Sequence, residues 1–246
     1  MNSLTSNNIH LNKKEHIYSL KSNPTLTFTS VTTFIDQFFE EFNSRKIATN
    51  LVQNHPKYSD YTIEGLIKEW KDAAQHGTDV HEEIEDWIKK EKIPSENKSK
   101  YGIRWLHAYK KQSNIEIISE VILYSEELKI SGTVDILALN KYTGKYDIID
   151  WKTSKRIIKK SFNGKMGIKP QTQKIMDCNF SHYALQLSLY RYILERYYGL
   201  EIENQYKRLT GDEFPLSDCP HHPEGSGFMA TYDSRHTRYI LTKKSY

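Results

Sequence analysis

Apolar residues recur at intervals of three and four along the first part of the chain, which is the spacing of amphipathic α-helices. The pattern predicts helical regions over residues 30–52, 62–93 and 100–112. Ser30 or Thr32 is suited to cap the first region, because either side chain can accept a hydrogen bond from a free backbone N–H. The Gly77-Thr78 pair either breaks the second region or lies within it, and Pro94 ends that region.

The period of the pattern shortens to two residues in the middle of the chain, which is typical of β-strands. Strands are predicted over residues 115–125, 128–139 and 145–154, and together they form an antiparallel meander. A long aromatic helix is predicted over residues 181–198, and a hairpin or two short strands over residues 227–243. This order predicts an α/β domain whose central mixed sheet is flanked by helices, preceded by an N-terminal helical region.

The N-terminal residues 1–22 are rich in Asn, Ser and Lys and have few apolar anchors, so we expect a flexible tail there. Residues 23–246 are predicted to form a single domain, because a chain of 246 residues can bury one core. No apolar run approaches the roughly 20 residues of a membrane span. The N-terminus also lacks the apolar stretch of a secretory signal. We therefore expect a soluble, intracellular protein without a membrane partner.

Charge and cysteine content limit the chemistry. The formal net charge of +4 is mildly basic, which is compatible with a nucleic-acid partner but does not require one. The two cysteines, Cys178 and Cys219, exclude an iron–sulfur cluster bound by four cysteines of one chain, and they make a disulfide framework unexpected. The stretch Cys219–His222 could bind zinc only with ligands from elsewhere, and a solvated loop is the simpler interpretation.

Three charged residues interrupt the apolar meander: Asp135, Asp150 and Lys152. A hairpin turn at Tyr142-Thr143 places Asp135 opposite Asp150, whereas a turn at Thr143-Gly144 places Asp135 opposite Lys152. Asp150 and Lys152 are two residues apart and share a face of the strand. All three side chains therefore converge in either register, provided that no bulge intervenes.

The neighbours expected on that shared face are apolar: Leu137, Leu139 and Ile148. Two carboxylates in such surroundings repel each other and lose hydration, which is costly unless a cation compensates. Mg²⁺ accepts one or two carboxylates together with water and phosphate oxygens, and an adjacent lysine can offset phosphate charge or act on a water molecule. The alternative is a buried Asp–Lys ion pair with a spare acid at the strand end.

The string "GTVD", a strand and turn, and then "IIDWKTS" resembles the core motif of the PD-(D/E)XK nuclease superfamily in its RecB-like branch. That motif has an acid at the end of one strand and an acid-x-Lys sequence on the next. Asp135 matches the first acid, the stretch 150–152 matches acid-x-Lys, and Val134 stands at the position of the motif's proline.

Two further motifs extend the resemblance over about residues 75–195. The branch carries a Gly and a His on an upstream helix, matched by Gly77 and His81 in "GTDVHEEIE". It also carries Gln-x-x-x-Tyr on a downstream helix, matched by Gln186 and Tyr190. The "DWKTS" string is similar to that of phage-type single-strand exonucleases and their mitochondrial relatives. The resemblance implies a restriction-endonuclease-like core.

The resemblance also implies the roles of individual residues in a site with one or two Mg²⁺ or Mn²⁺ ions and no iron–sulfur cluster. The catalytic residues would be Asp135, Asp150 and Lys152. The metal ligands would be His81, Asp135, Asp150 and the backbone carbonyl of Trp151. The residues that contact substrate would be Glu120, Thr153, Ser154, Lys155, Gln186 and Tyr190. Structural alternatives remain: a core histidine at residue 81, helix packing at residue 190, a strand-edge salt bridge at residue 120, and strand-end hydrogen bonds at residues 153 and 154.

A basic stretch follows the third strand, and we interpret it as a phosphate-binding segment, with a solvated loop as the alternative. Its members are Lys155, Arg156, Lys159, Lys160, Lys165, Lys169 and Lys174. Nearby aromatic residues could stack on unpaired bases; they are Phe162, Phe180, Tyr183 and Tyr190. The expected function is that of a metal-dependent DNA exonuclease acting on single strands or single-stranded ends in replication, recombination or repair. A flap endonuclease with the same site and a non-cleaving nucleic-acid-binding module are the alternatives.

Overall fold

A curled mixed β-sheet forms the centre of the protein in a computed structural model that describes residues 2–4, 8–111, 114–154, 157–209 and 227–229. The strands are β1 (Ile9–Asn12), β2 (Ile17–Leu20), β3 (Thr29–Ser30), β4 (Ile115–Ser125), β5 (Ile130–Asn140), β6 (Tyr146–Lys152), β7 (Ile202–Leu209) and β8 (Gly227–Met229). The helices are α1 (Val31–Asp36), α2 (Ser44–Asn54), α3 (Ile63–Lys90), α4 (Asn97–Lys111) and α5 (Asn179–Tyr198). The prediction of an α/β fold with a mixed sheet flanked by helices is therefore confirmed.

The predicted meander is present. Strand β5 pairs in antiparallel fashion with β4 on one side and with β6 on the other. The pair Ile136–Ile149 sets the register between β5 and β6, and this is the register in which Asp135 lies opposite Asp150. The loop between these strands closes with a hydrogen bond from the Asn140 N–H to the Lys145 carbonyl, and Gly144 within it has a φ of 71°, a conformation that favours glycine.

Strand β7 was not predicted from the sequence. It runs parallel to β6 after the chain crosses over through α5, and β8 pairs with its other edge. The segment from Ile202 to Leu209 alternates only weakly between apolar and polar residues, so its period does not stand out. Of the predicted C-terminal strands, β8 is described, and residues 230–243 lie outside the described residues.

The expectation of a flexible tail over residues 1–22 is wrong where the structure describes them beyond residue 8. Strands β1 and β2 form an antiparallel hairpin whose side chains Ile9, Tyr18 and Leu20 are buried in the core. The Tyr18 hydroxyl also forms a 3.0 Å hydrogen bond with the Thr133 hydroxyl of β5. These few apolar residues suffice because they share one face of the hairpin, while Lys13 and Lys14 lie in its turn.

The first predicted helical region is two helices rather than one. The Ser30 side chain accepts a hydrogen bond from the Thr33 N–H and caps α1, while Asn43 caps α2 in the same way. The second region is one continuous helix, α3, capped by Thr62. Gly77 does not break α3, because a single glycine costs only about 1 kcal/mol in a helix, which a long buried face outweighs.

Two apolar clusters surround the sheet. In the first, α1, α5 and the β1–β2 hairpin pack together with residues of β4, β5 and β6. In the second, α3 and α4 pack on β5 and β6 through residues such as Ile84, Leu106 and Ile149. In the part of the chain that the structure describes, no helix is both long and apolar enough to cross a lipid bilayer.

The carboxylate of Glu83 on α3 holds the start of α4. It accepts hydrogen bonds from the backbone N–H of Ser95 at 3.1 Å and of Glu96 at 3.0 Å, and from the Ser95 hydroxyl. Burial favours the protonated form, but these hydrogen bonds outweigh it and lower the pKa of Glu83 to about 2. Helix α4 in turn carries Lys98, whose Nζ donates to the Thr153 carbonyl just after β6 at 2.8 Å.

We expect Glu83→Gln to lower the free energy of unfolding at pH 7 by about 1 kcal/mol, the size of a lost helix cap. Because the folded-state pKa is depressed, this contribution is present above the ordinary pKa of Glu and is lost as the pH falls toward about 2. Urea unfolding between about pH 7 and pH 3 should therefore show a smaller acid-induced loss of stability in Glu83→Gln than in the wild type. Glu82→Gln is the matched control, and identical pH dependence in Glu83→Gln and the wild type would contradict the assignment.

Candidate active site

Acidic residues of three neighbouring strands lie side by side across the sheet. In the pairing of β4 with β5, the regular pairs on either side place Glu120 opposite Asp135. Continuing the register of β5 with β6 by one residue places Asp135 opposite Asp150. Opposed residues of adjacent antiparallel strands have Cβ atoms about 5 Å apart. The fold therefore produces a row of three acids that crosses β4, β5 and β6.

The backbone departs from regular strand geometry at this row. Glu120 has a φ of 52°, a left-handed conformation that costs a non-glycine residue of the order of 1 kcal/mol or more. The paired segment of β5 and β6 ends at Ile136 and Ile149, next to Asp135. There the Asp135 Oδ2 atom accepts a hydrogen bond from the Trp151 backbone N–H at 2.7 Å. A side-chain carboxylate thus takes the place of a backbone acceptor where the two strands separate.

Helix α3 brings His81 to this opening. The His81 Nδ1 atom lies 3.5 Å from Asp135 Oδ2, and 27 % of the His81 side chain is exposed. Burial lowers the pKa of His81, but the Asp135 carboxylate outweighs this effect and raises the pKa above its ordinary value of 6.5. Gly77 lies one turn earlier on α3, and a Cβ atom there would come within 3.1 Å of the Thr153 hydroxyl. The glycine therefore lets α3 approach the end of β6 closely.

Asp150 and Lys152 form an ion pair. The Lys152 Nζ atom donates to Asp150 Oδ2 at 2.5 Å, and Asp150 is almost fully buried. Burial lowers the pKa of Lys152, but Asp150 and then Asp135 raise it more, so the amine keeps its proton. In this arrangement Lys152 offers charge compensation and hydrogen-bond donation.

The three charged residues of the meander do not share one apolar face as the sequence predicted. Leu137 and Ile148 pack in the first cluster, on the side of Asp150 and of α5. Asp135 instead lines a cleft beside α3. The irregular backbone at the acidic row is the physical reason, because it interrupts the strict alternation of side chains that the prediction assumed. The indole of Trp151 is buried in the second cluster, so a role in metal binding would fall to its backbone carbonyl.

Gln186 and Tyr190 lie on one face of α5, four residues apart. The Gln186 Nε2 atom donates to the Tyr190 hydroxyl at 2.9 Å. The Tyr190 ring is buried against Gly132, where a Cβ atom would lie only 2.7 Å from the ring. Burial and then the nearby Asp150 raise the pKa of Tyr190 well above its ordinary value, so the hydroxyl stays protonated. Tyr190 therefore packs between α5 and the sheet, which is the structural alternative that the sequence left open for it. It also lies next to the Asp150–Lys152 ion pair, but its buried ring offers no surface for base stacking.

The remaining predicted substrate contacts follow β6 directly. Thr153 and Ser154 are half-buried, and the Ser154 hydroxyl has no hydrogen-bond partner among the described residues. Lys155 lies outside the described residues, and so does the Cys219–His222 stretch.

Lysines of the predicted phosphate-binding segment are exposed; those described are Lys159, Lys160, Lys165, Lys169 and Lys174. The Lys165 Nζ atom pairs with Glu40 at 2.6 Å. Phe162 in the same segment is 65 % exposed, so its ring is accessible from solvent. Phe180 and Tyr183 are half-buried. This surface therefore presents cations and one accessible aromatic ring after the strand that carries Asp150.

A cleft of about 400 Å³ opens beside the acidic row. Its walls are Leu11, Lys13 and His16 of the N-terminal hairpin, Gly77, Thr78, His81, Glu82 and Glu85 of α3, and Glu120, Thr133 and Asp135 of the sheet. Burial, and then the neighbouring Asp135 and Glu85, raise the pKa of Glu120 to about 7. Sequence reasoning missed Lys13 and His16 because it assigned them to a tail, and no local motif marks them.

The donor atoms at this opening suit a hard divalent cation. Imidazole nitrogen and carboxylate oxygens are ligands that Mg²⁺ or Mn²⁺ accepts. Burial is the main cause of the raised pKa of Glu120, and the repulsion from Asp135 and Glu85 adds to it, so a cation bound here would favour the charged form of this carboxylate. No group of three His, Cys, Asp or Glu side chains within the described ranges has the spacing of a metal site. The metal ligands named from the sequence therefore stay a prediction.

The chain matches no protein-family model, and no curated protein matches it in sequence. The resemblance to the nuclease superfamily consequently depends on the motif residues alone. Of these, His81, Asp135, Asp150 and Lys152 lie around one opening of the sheet, with Gln186 and Tyr190 on the α5 side of it.

We expect Asp135→Asn to lower the pKa of His81, because burial is then opposed by less negative charge. An NMR titration of the imidazole in EDTA-treated protein measures this shift. The raised pKa also means that the His81–Asp135 pair stabilises the wild type below about pH 6.5 and that this stabilisation is lost as the pH rises through the folded-state pKa. Asp79→Asn on the same helix is the control, and an unchanged His81 midpoint in Asp135→Asn would contradict the assignment.

Proposed function

We propose that the protein is a metal-dependent nuclease that hydrolyses phosphodiester bonds in DNA with single-stranded character, working from strand ends, in replication, recombination or repair. The observation that carries the proposal is the opening of the sheet at Asp135. There, a row of three acids from adjacent strands meets His81 on one side and Lys152 on the other. A stable scaffold gains nothing from this arrangement, since it concentrates like charges and a strained backbone in one place.

The order of elements supports the assignment to a PD-(D/E)XK core. A helix with His81 precedes an antiparallel meander that carries Asp135 and then the acid-x-Lys stretch 150–152. The helix with Gln186 and Tyr190 then crosses to a strand parallel to β6. Residues that are up to about 100 positions apart thereby contribute to one opening, as the family resemblance predicts.

In this proposal His81, Asp135, Asp150 and the Trp151 carbonyl hold one or two Mg²⁺ or Mn²⁺ ions. A bound divalent ion supplies a water of lowered pKa and stabilises charge on the leaving oxygen. Trp151 donates its backbone N–H to Asp135, which fixes the orientation of that carboxylate before any ligand binds. The carboxylate therefore requires little reorganisation, which is the condition for efficient electrostatic stabilisation.

Lys152 acts on the phosphate in this scheme. Its amine is protonated and is held by Asp150, and it lies 5.3 Å from the centre of the Tyr183 ring. A cation fixed in this way can donate to a non-bridging phosphate oxygen and offset the charge that develops there. Burial lowers the pKa of Lys152 but Asp150 and Asp135 raise it more, which suits a side chain that donates hydrogen bonds to phosphate.

The preference for single strands and ends comes from the resemblance to single-strand exonucleases. The exposed lysines after β6 and the accessible Phe162 ring support it, because cations that follow a backbone and an aromatic platform are how proteins bind unpaired nucleic acid. The Asp150–Lys152 pair also fits a binding module without cleavage, since each charge already has its partner. An assay of cleavage and binding together separates these functions.

The test uses end-labelled single-stranded DNA and a closed single-stranded circle, each with Mg²⁺, Mn²⁺ or EDTA. We expect the linear strand to be degraded with either metal and not with EDTA, while the circle survives. Asp150→Asn and Lys152→Gln should each reduce the rate by about 100-fold or more, the usual effect of removing a group that stabilises transition-state charge. The control for Lys152→Gln is Lys141→Gln, which changes an exposed lysine paired with Glu116.

Thermal unfolding of each variant separates lost chemistry from lost structure. If the closed circle is cut, the protein is an endonuclease and the proposed exonuclease activity is wrong. If the DNA is bound but not cleaved with any metal, the protein is a binding module and the proposed hydrolysis is wrong. If folded Asp150→Asn still cleaves DNA, the reaction does not take place at this site.

A further inference from the structure

The turn of the N-terminal hairpin forms one wall of the cleft that holds His81, Glu120 and Asp135. Lys13 and His16 of this turn face that cleft, although they lie far from the motif residues in sequence. The hairpin is fixed in place by buried side chains and by the hydrogen bond between Tyr18 and Thr133. Thr133 is two residues before Asp135 on β5, so the hairpin is anchored directly beside the acidic row.

The turn itself has a defined conformation. The Asn12 side chain accepts hydrogen bonds from the backbone N–H of Lys14 at 3.1 Å and of Glu15 at 3.3 Å. The Asn12 amide also donates to the Glu15 carboxylate at 2.9 Å. His16 has a φ of 54° and packs edge-on against the Tyr18 ring at 5.6 Å. These contacts fix the backbone of the turn and so place Lys13 at the cleft.

Lys13 and Glu85 form an ion pair that can open at low cost. The Lys13 Nζ atom lies 3.2 Å from Glu85 Oε2, while Glu85 Oε1 is paired with Lys89 at 2.6 Å. Glu85 therefore keeps one cationic partner if Lys13 moves away. The Lys13 side chain is 62 % exposed, so it can turn toward a ligand in the cleft without leaving a buried site.

The cleft needs a cation for a polyanionic substrate. Its ionisable walls include four acids, which repel phosphate: Glu82, Glu85, Glu120 and Asp135. Among the described residues that line it, Lys13 is the one lysine. The alternative role for Lys13 is to fasten the hairpin to α3. An ion pair whose lysine is mostly exposed and whose acid keeps a second lysine contributes little to stability, however, and the three buried apolar side chains of the hairpin contribute much more.

We propose that Lys13, at the hairpin turn, is part of the substrate-binding site and that it exchanges Glu85 for a backbone phosphate of single-stranded DNA in the cleft. This inference rests on the proposed function and extends it to a specificity-determining residue outside the motif core. Glu85 then acts as a competitor that holds Lys13 in place until the DNA binds.

The test is the binding of fluorescein-labelled oligothymidine in EDTA, followed by fluorescence anisotropy over a range of salt concentrations. We expect Lys13→Gln to weaken binding several-fold and to reduce the slope of log affinity against log salt by about 0.7, the value for one phosphate contact on a single strand. Lys13→Arg should restore both quantities. The control is Lys14→Gln, which changes the exposed neighbour on the same turn and should leave affinity and slope unchanged.

Glu85→Gln distinguishes a phosphate contact from a structural fastener. If Lys13 binds phosphate, Glu85→Gln frees it and tightens binding, so that the two substitutions have opposite signs. The gain should shrink when Lys13→Gln is also present, because only the relief of repulsion from Glu85 then remains, and an undiminished gain would contradict the inference. A fastener predicts instead that both substitutions weaken binding and lower the thermal unfolding temperature together.

The outcomes separate the inference from the proposed function. If wild-type protein binds oligothymidine and Lys13→Gln binds it with the same affinity and salt slope, the role of Lys13 is overturned while the proposed function stands. If wild-type protein binds no oligothymidine at low salt and cleaves no DNA, the proposed function itself fails. With Mg²⁺ and a cleavable strand, the inference further requires Lys13→Gln to raise KM with kcat nearly unchanged, and a loss confined to kcat would contradict it.

Discussion

The hydrogen bond from the Trp151 N–H to the Asp135 carboxylate is the constraint on which the site depends. It satisfies a backbone donor at the point where β5 and β6 stop pairing, and so lets the sheet open without an unpaired buried N–H. It also fixes the carboxylate toward α3, where His81 approaches to 3.5 Å.

Negative charge is concentrated where the sheet opens, and basic side chains from three different elements lie next to the acids there. Lys152 pairs with Asp150 from within the strand, His81 reaches Asp135 from α3, and Lys13 reaches Glu85 from the N-terminal hairpin. Burial, and then Asp135 and Glu85, raise the pKa of Glu120 to about 7, because His81 and Lys13 oppose these effects only in part. The opening thus combines acids with basic side chains that come from the sheet, from α3 and from the N-terminal hairpin.

Close approach of helices to the acidic row depends on two glycines. The absence of a Cβ atom at Gly77 lets the residue after β6 approach α3, and its absence at Gly132 lets the Tyr190 ring of α5 pack against β5. Each helix thereby brings polar groups to the row from its own side. Glycine at these positions is explained by the space that a Cβ atom would occupy, and not by flexibility, because neither residue has a positive φ.

The sequence by itself determined the meander and most of the helices that flank it, because periodicity, caps and turn residues are local signals, but it left two registers of β5 and β6 open. It also located Asp135, Asp150 and Lys152 as charges inside strands. It did not determine β7, because this strand alternates only weakly in sequence and is defined by its pairing with β6. Nor did it determine the position of the hairpin at the cleft, because that position follows from contacts with β5 and α3. The left-handed φ of Glu120 is likewise marked by no local motif. Tertiary structure alone decided which way each acid turns, since a local break in the ladder overrides the alternation on which the sequence prediction relied.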